Sequence, residues 1–537
     1  MSTVRYATEP PRRRGTPRPA AQDPRRGRAG SGASGQEPRP TRSTRSTRTA
    51  RSAAATRRGI AAAVLGMLAV WLVAPAAVRA AEGVADPAAL SLPGAATLAI
   101  FLTAVWAWVF TALDDTLVAF LAAVALILTG VLPAADFFAA LGDETIWLLI
   151  CACIIAAGVA ASGLALRGAA QLVTRARTPR GLAHASTAAL ILSAFAIPAT
   201  SGRAALALPV YRALAAALPG RAGLLRALGL IFPTVILLSA VASLLGAGAH
   251  LITSQILAEA TGEGIGFLRW LVLGVPLAVV SSHLACELVL LLFTDRAERR
   301  APVRITLAEL AADAPTPVTG PLAPAERRAL ILLAAVITLW CTEPLHGLAP
   351  AVVALLGALA ATLPAIGCIT LKDAVKRVPW HLLLFLAATL ALGGALTATG
   401  AAAWLGHTLL APVSGLGAGA GIAFLLIVVA ASLAAHLVIQ SRSARSAALI
   451  PIIVAIAPGI GIDPVAAAFA STAAAGFCHT LPSSAKPVAM FTDPDAGAGI
   501  APADLLRLSR WLAPLLFFLI VACALWLWPA LGMPLLL

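Results

Sequence analysis

The chain has 537 residues, of which 60% are apolar and only 12% charged, with a mean hydropathy of +0.90. A soluble domain carries about 25% charged residues, so this composition excludes an ordinary water-soluble enzyme. The net charge of +15 does not mark a nucleic-acid-binding face, because residues 1–58 hold 15 Arg against Glu9, Asp23 and Glu37 and alone supply +12.

Residues 1–58 are rich in Arg, Pro, Ser, Gly and Thr and include the run Thr41-Arg-Ser-Thr-Arg-Ser-Thr-Arg48. They have too little apolar content for a core and read as a disordered basic cytoplasmic tail. The apolar run 60–80 ends in Ala77-Val-Arg-Ala80, which is similar to a signal-peptidase site. The leader before it is long for a secretory signal, which favours an uncleaved first helix.

Further apolar runs predict helices near 94–112, 116–133, 145–166, 224–247, 268–294, 327–346, 349–366, 379–398, 462–480 and 511–535. Two stretches read differently. Residues 186–213 are interrupted at Pro198-Ala-Thr-Ser-Gly-Arg203, and residues 418–458 at Gln440-Ser-Arg-Ser-Ala-Arg445. An apolar run, a short polar break and a second apolar run is the pattern of a re-entrant hairpin. The expected fold is therefore an all-α polytopic membrane protein with about 11 transmembrane helices plus two re-entrant hairpins. The seven Cys lie in or beside apolar runs without zinc or redox spacing and read as buried, inert thiols.

Arg and Lys concentrate on one side if the tail starts inside and each hairpin returns to its own side. This places the N-terminus in the cytoplasm and the C-terminus outside. Four basic residues, Arg203, Arg442, Arg445 and Lys486, then fall within membrane segments. The halves also repeat. Ser162-Gly163 and Thr399-Gly400 end corresponding helices, Arg203 lies six residues before Pro209, and Arg445 six before Pro451. The unit 145–294 recurs as 379–535, in inverted orientation by the odd number of crossings between their starts. Inverted repeats with discontinuous segments are the mark of a secondary transporter. The organisation expected is tail 1–58, N-terminal helices 59–134, first repeat 145–294, cytoplasmic loop 295–326, linking helices 327–378 and second repeat 379–535.

Three stretches carry a resemblance to a known family. They are Ile146-Trp-Leu-Leu with Ser162-Gly-Leu-Ala, the run from Leu345-His-Gly-Leu-Ala-Pro to Lys372-Asp-Ala-Val-Lys-Arg-Val-Pro-Trp380, and Asp463-Pro-Val leading to Thr480-Leu-Pro-Ser-Ser-Ala-Lys-Pro487. Over residues 90–535 the chain resembles the divalent anion/sodium symporter family, carriers of di- and tricarboxylates or sulfate. The resemblance implies scaffold and transport domains, a homodimer in a bacterial-type inner membrane, and elevator-type alternating access. In that family each hairpin tip carries Ser-Asn-Thr, which binds sodium and substrate carboxylate. Here the matching tips read Ala199-Thr200-Ser201 and Ser441-Arg442-Ser443. The Pro-Pro-Asn turns are replaced by Gly246-Ala-Gly-Ala-His250 and Ser483-Ser-Ala-Lys-Pro487.

Arg203 and Arg445 are the sharpest signal, because a central Arg in a membrane segment costs at least about 2.5–3.5 kcal/mol on insertion scales. Two at matching positions suggest one shared anion site, since a guanidinium binds a carboxylate bidentately. The alternative is that each pairs with carbonyls at its tip. Thr200, Ser201, Ser441 and Ser443 offer hydroxyls to a substrate oxygen or cap the second hairpin helices. Ser483, Ser484 and Lys486 supply a further anion contact in the second broken helix. Arg442 stands where the resemblance puts a sodium ligand, so its fixed charge is expected to replace the ion. His250 is a candidate for proton coupling or a structural residue, and Glu287 is the clearest acid inside an apolar run. No P-loop or His-Glu-x-x-His is present in the sequence, and no Asp or Glu cluster lies among the predicted helices.

These features predict a secondary transporter of small divalent anions with no cofactor, not an enzyme. Sodium symport and sodium-independent exchange are both open. The alternatives are a cation/proton antiporter of the same superfamily, which would need intramembrane carboxylates, and a membrane sensor or enzyme.

Overall fold

The computed structural model describes residues 90–111, 113–311, 318–410, 419–493 and 499–537. The basic tail and the first apolar run, 60–80, lie outside the described residues. Helices of seven residues or more are numbered in chain order.

Ser91 caps α1 (Leu92–Phe110), and Asp114 caps α2 (Asp115–Leu128) by accepting from the amides of Thr116 and Leu117. Asp143 caps α3 (Glu144–Ser162), which ends at Gly163 in the left-handed conformation, φ +83°. There the chain turns into the amphipathic α4 (Leu164–Val173). The helices α5 (Pro179–Ala196) and α6 (Thr200–Ala217) are separated by a three-residue break. Next come α7 (Ala222–Leu238), two 3-10 turns, α8 (Gly248–Thr261) and the long α9 (Phe267–Phe293).

After the loop at 295–323 the order recurs. It runs through α10 (Pro324–Cys341), α11 (Pro350–Thr362), α12 (Trp380–Ala398) and, past the left-handed Gly400, α13 (Ala401–Leu410). The pair α14 (Ala420–Ala434) and α15 (Arg442–Ile456) follows. Then come α16 (Pro464–Ala474), an irregular stretch with one 3-10 turn, α17 (Lys486–Thr492) and α18 (Pro502–Ala522). Packing repeats as well. α3 lies on α11 as α12 lies on α2, and α6 lies on α17 as α15 lies on α8.

The chain is an all-helical polytopic membrane protein. Among the described residues, 8 helices are long and apolar enough to cross a membrane, with four shorter apolar helices beside them. This differs from the expected eleven spans. The runs 116–133, 349–366 and 462–480 form helices of only 14, 13 and 11 residues, and at 1.5 Å per residue each falls short of a core about 30 Å thick. The run 327–346 forms α10 (Pro324–Cys341), which opens with Glu326, Arg327 and Arg328 and is not among the eight. Conversely Ala420–Leu437 and Arg442–Ile460, expected as arms of one hairpin, each have the length and hydropathy of a span. The helix α8 was absent from the expectation, because its His, Thr, Ser, Gln and Glu mask the apolar period. Of the seven cysteines, all free, Cys341 and Cys368 are half-buried and the other five buried.

The loop after α9 is tied down by a buried cation. Arg167 of α4 donates to Glu326 (2.7 Å) and to the carbonyls of Gly320, Thr319 and Pro321. Both members of the pair are almost wholly buried.

Candidate functional site

A cavity of about 350 Å³ lies where both helical pairs turn and both broken helices are interrupted. Ala199, Thr200 and Ser201 reach it from the start of α6, and Gln440, Ser441, Arg442 and Ser443 from the start of α15. Ala247–Ala249 and Ser483–Pro487 complete the wall from the two interruptions. The opposite side is built by Asp114, Asp115 and Thr116 at the α1–α2 turn and by His381, Leu382 and Phe385 of α12.

Helix geometry explains why these groups converge. The helices α6, α8 and α15 all begin at the cavity wall, with their first amides directed toward it. Neither α6 nor α8 has a side-chain cap, so their N-terminal donors and partial positive charge remain available to an anion. Ser441 spends one lone pair on the amide of Ala444 (3.3 Å). Ala199, ahead of α6, is the one non-glycine residue with positive φ (+80°) among the described residues. The elements also approach closely: a Cβ added to Gly248 would lie 2.7 Å from Leu382 Cδ1 and 3.1 Å from Ser443 Oγ.

Of the expected site residues, Thr200, Ser201, Ser441, Arg442, Ser443, Ser483, Ser484 and Lys486 all line this one cavity. Arg203, Arg445 and His250 do not. Arg203 is 1% exposed and donates to Ser193 Oγ (3.0 Å), Ile236 O (2.9 Å), Leu190 O (2.5 Å) and Ser239 Oγ (2.7 Å). It borders a separate apolar cleft with Ser186, Ser193 and Phe232. Arg445 is fully buried, and its Nη2 contacts Cys478 Sγ at 2.8 Å. The expected shared Arg203–Arg445 site is thus replaced by two separate internal positions. The reason is helical: each Arg follows a lining serine by two residues, about 200° round the helix. His250 is fully buried, with Nδ1 2.9 Å from Ser243 O and its ring stacked on Trp270. Glu287 lies elsewhere, bound by Arg180 (2.6 Å) and His184 (2.5 Å).

Charge in the cavity is unevenly compensated. The Nε and Nη1 atoms of Arg442 are buried without a hydrogen-bond partner among the described residues, and Arg203 and Arg445 lie within electrostatic range of it. Among the described residues no ion pair joins these three guanidinium groups to a carboxylate. A buried cation left so costs several kcal/mol, which an entering anion would recover. Asp114, Asp115, Thr116, His381 and Gln440 were missed by sequence reasoning. The adjacent acids between two apolar runs were the available signal.

A polar cavity with charged walls, enclosed by broken helices inside a polytopic membrane bundle, defines a transporter rather than an enzyme. The chain belongs to the sodium:sulfate symporter family: the model for the "Sodium:sulfate symporter transmembrane region" matches residues 67–533. It is 25% identical over 406 residues to a "Membrane protein" of Cupriavidus necator, covering 71% of this chain and 77% of that one. It is 26% identical over 396 residues to the chloroplastic dicarboxylate transporter 1 of Spinacia oleracea, covering 71% of this chain and 68% of that one. The corresponding Arabidopsis thaliana transporter is also 26% identical, with 71% and 70% covered. The fold is similar to that of the YdaH transporter of Alcanivorax borkumensis, with a TM-score of 0.52 at 15% identity, covering 83% of this chain and all of that one.

Proposed function

We propose that the protein is a secondary active transporter of small divalent anions, di- or tricarboxylates or sulfate, working by elevator-type alternating access. The observation that carries this reading is the Arg442 guanidinium, which lines the cavity with two donors unpaired among the described residues. Lys486 adds a second positive charge, and the hydroxyls of Thr200, Ser201, Ser441, Ser443, Ser483 and Ser484 surround the two. Two cations with converging helix N-termini suit a dianion better than a monoanion. The similarity to chloroplastic dicarboxylate transporters favours the carboxylate branch.

In this reading the helical pairs α5–α6 and α14–α15 are the re-entrant hairpins of two inverted repeats, 145–294 and 379–535. They move with the broken helices against a scaffold of residues 59–134 and 327–378. The recurring packing order supports that division. Arg442 puts a fixed positive charge at a tip where sodium would otherwise bind, so transport is sodium-independent exchange. Arg203 ties α5 to α7 rather than touching substrate, while Arg445 lies outside the cavity lining with its Nε and Nη1 likewise unpaired among the described residues. The working form is a homodimer in a bacterial-type inner membrane, with the N-terminus inside. A second reading, cation/proton antiport, draws on Asp114 and Asp115 in the same cavity. It leaves Arg442 without a role.

Uptake of labelled succinate, malate, citrate and sulfate into proteoliposomes tests this, in sodium and in choline, with and without internal counter-substrate. Exchange in choline that is abolished in Arg442→Gln is expected. Transport of none of these anions by a folded protein would overturn the reading.

A further inference from the structure

We propose that Glu259 is a proton-binding site at the contact of α8 with α12 and, resting on the transporter reading above, that its proton tunes anion exchange to pH. Glu259 lies in the last turn of α8, about 16 Å along the helix from the cavity wall at Gly248. Its Oε2 atom is buried without a hydrogen-bond partner among the described residues. The residue as a whole is half-buried, and the chain is exposed from Ala260 to Gly262, so water reaches the carboxyl from the helix end.

The surface under the carboxyl is bare backbone. A Cβ added to Gly393 of α12 would lie 3.1 Å from Glu259 Oε2, and one added to Gly394 would lie 4.0 Å away. The amides of α12 are spent on its own helical bonds, so this surface offers Oε2 no donor. The acid beside it is treated differently. Gln255, one turn earlier on α8, donates Nε2 to Asp143 Oδ2 (3.1 Å), and the Thr145 amide donates to Asp143 Oδ1 (2.8 Å). Asp143 is thus a supported carboxylate, whereas a charge on Glu259 has a buried oxygen without a donor. That is costly, and a proton removes the cost.

No cation does so instead, since no ion pair among the described residues includes Glu259. The charged groups about this end of α8 are acids, Asp143 and Glu144 at the start of α3 and Glu263 beyond α8. Of the other elements packed on α8, α16 and the 3-10 turn at 244–246 carry no charge. His381 of α12 and Arg442 and Arg445 of α15 lie in the first turns of their helices, toward the cavity. The sign follows. The protonated carboxyl can rest on the glycines, so acid holds the α8–α12 contact. As pH rises the carboxylate forms and leaves the glycines for water, which loosens the contact and speeds exchange.

The test uses the full chain reconstituted in lipid. One arm titrates the infrared carbonyl band of a protonated carboxylic acid, with no anion present. The wild type is expected to keep such a band at mildly acidic pH, where exposed carboxylates are ionised, and Glu259→Gln to lack it. Gly393→Ala places its methyl against a flexible side chain, so the fold survives while the carboxyl is pushed toward water. The band should then titrate roughly one pH unit lower. The other arm follows sulfate and succinate exchange against pH. Glu259→Gln should exchange at the slow, acid-like rate at every pH. A folded wild type without the band overturns the proton site. A band lost in Glu259→Gln with the pH dependence of exchange unchanged overturns the tuning. The band present with neither anion exchanged overturns the anion reading and leaves the proton site standing.

Discussion

Replacing Arg203 separates the two roles a buried membrane arginine can have. Its guanidinium joins α5, through Leu190 O and Ser193 Oγ, to α7 and the turn after it, through Ile236 O and Ser239 Oγ. Each charge-assisted bond contributes about 1.5–3 kcal/mol, but the four do not simply add. Burying the guanidinium itself costs several kcal/mol. The two hydroxyls also keep other acceptors, Ser193 donating to Leu190 O (2.6 Å) and Ser239 to Val235 O (2.5 Å). A net loss of about 3 kcal/mol is expected for Arg203→Ala, spread over a void and the carbonyls left under-satisfied. The assay is thermal unfolding of purified protein, followed by tryptophan fluorescence beside anion binding at a temperature where the variant is folded. Arg203→Ala should unfold several degrees lower yet bind anion normally once folded, whereas Arg442→Gln should unfold normally and fail to bind. Normal unfolding with lost binding in Arg203→Ala would refute the argument and restore Arg203 as a substrate ligand.

Gly274→Ala should cost about 1–3 kcal/mol, because the new Cβ would collide with the Val241 carbonyl that also accepts from Trp270; thermal unfolding measures it. Glu326→Ala strands the buried Arg167 cation and should destabilise by about 3–5 kcal/mol, with limited proteolysis of the loop at 295–323 as the local readout. Ala199→Gly relieves a positive φ of +80° and should raise stability by roughly 1 kcal/mol. A lower melting temperature there would show that the methyl group packs favourably.

Much of the scaffold was legible because apolar runs and glycine stops are local signals. Gly163 and Gly400 end α3 and α12 as their positions in the two halves suggested. The breaks themselves lie earlier than expected, at 197–199 and 435–441, because the polar residues Thr200-Ser-Gly-Arg203 and Arg442-Ser-Ala-Arg445 open the second helix of each pair instead of interrupting it. Other features depend on direction and distance, which the sequence does not display. Arg203 and Arg442 read alike as cations in apolar surroundings. Only the turn of the helix decides that one meets carbonyls and the other a cavity. Asp114 and Asp115 stand just ahead of the apolar run 116–133, and it is tertiary packing of α2 on α12 that carries them to the site. α8 was hidden because its polar residues face partners such as Thr472, bonded to Thr253 at 2.6 Å.

The crossed packing of α6 on α17 and of α8 on α15 also constrains how the chain assembles during synthesis. α6 packs on α7 of its own half but also on α17, and α8 packs on α15, so part of the surface that covers each of these first-half helices is still untranslated when it leaves the ribosome. The first half must therefore be held in the bilayer as an unfinished intermediate, with Arg203 already sheltered by α5 and α7 but its tip uncovered. In a ribosome stalled before α17 the amides of α6 should exchange with solvent faster than in the finished protein.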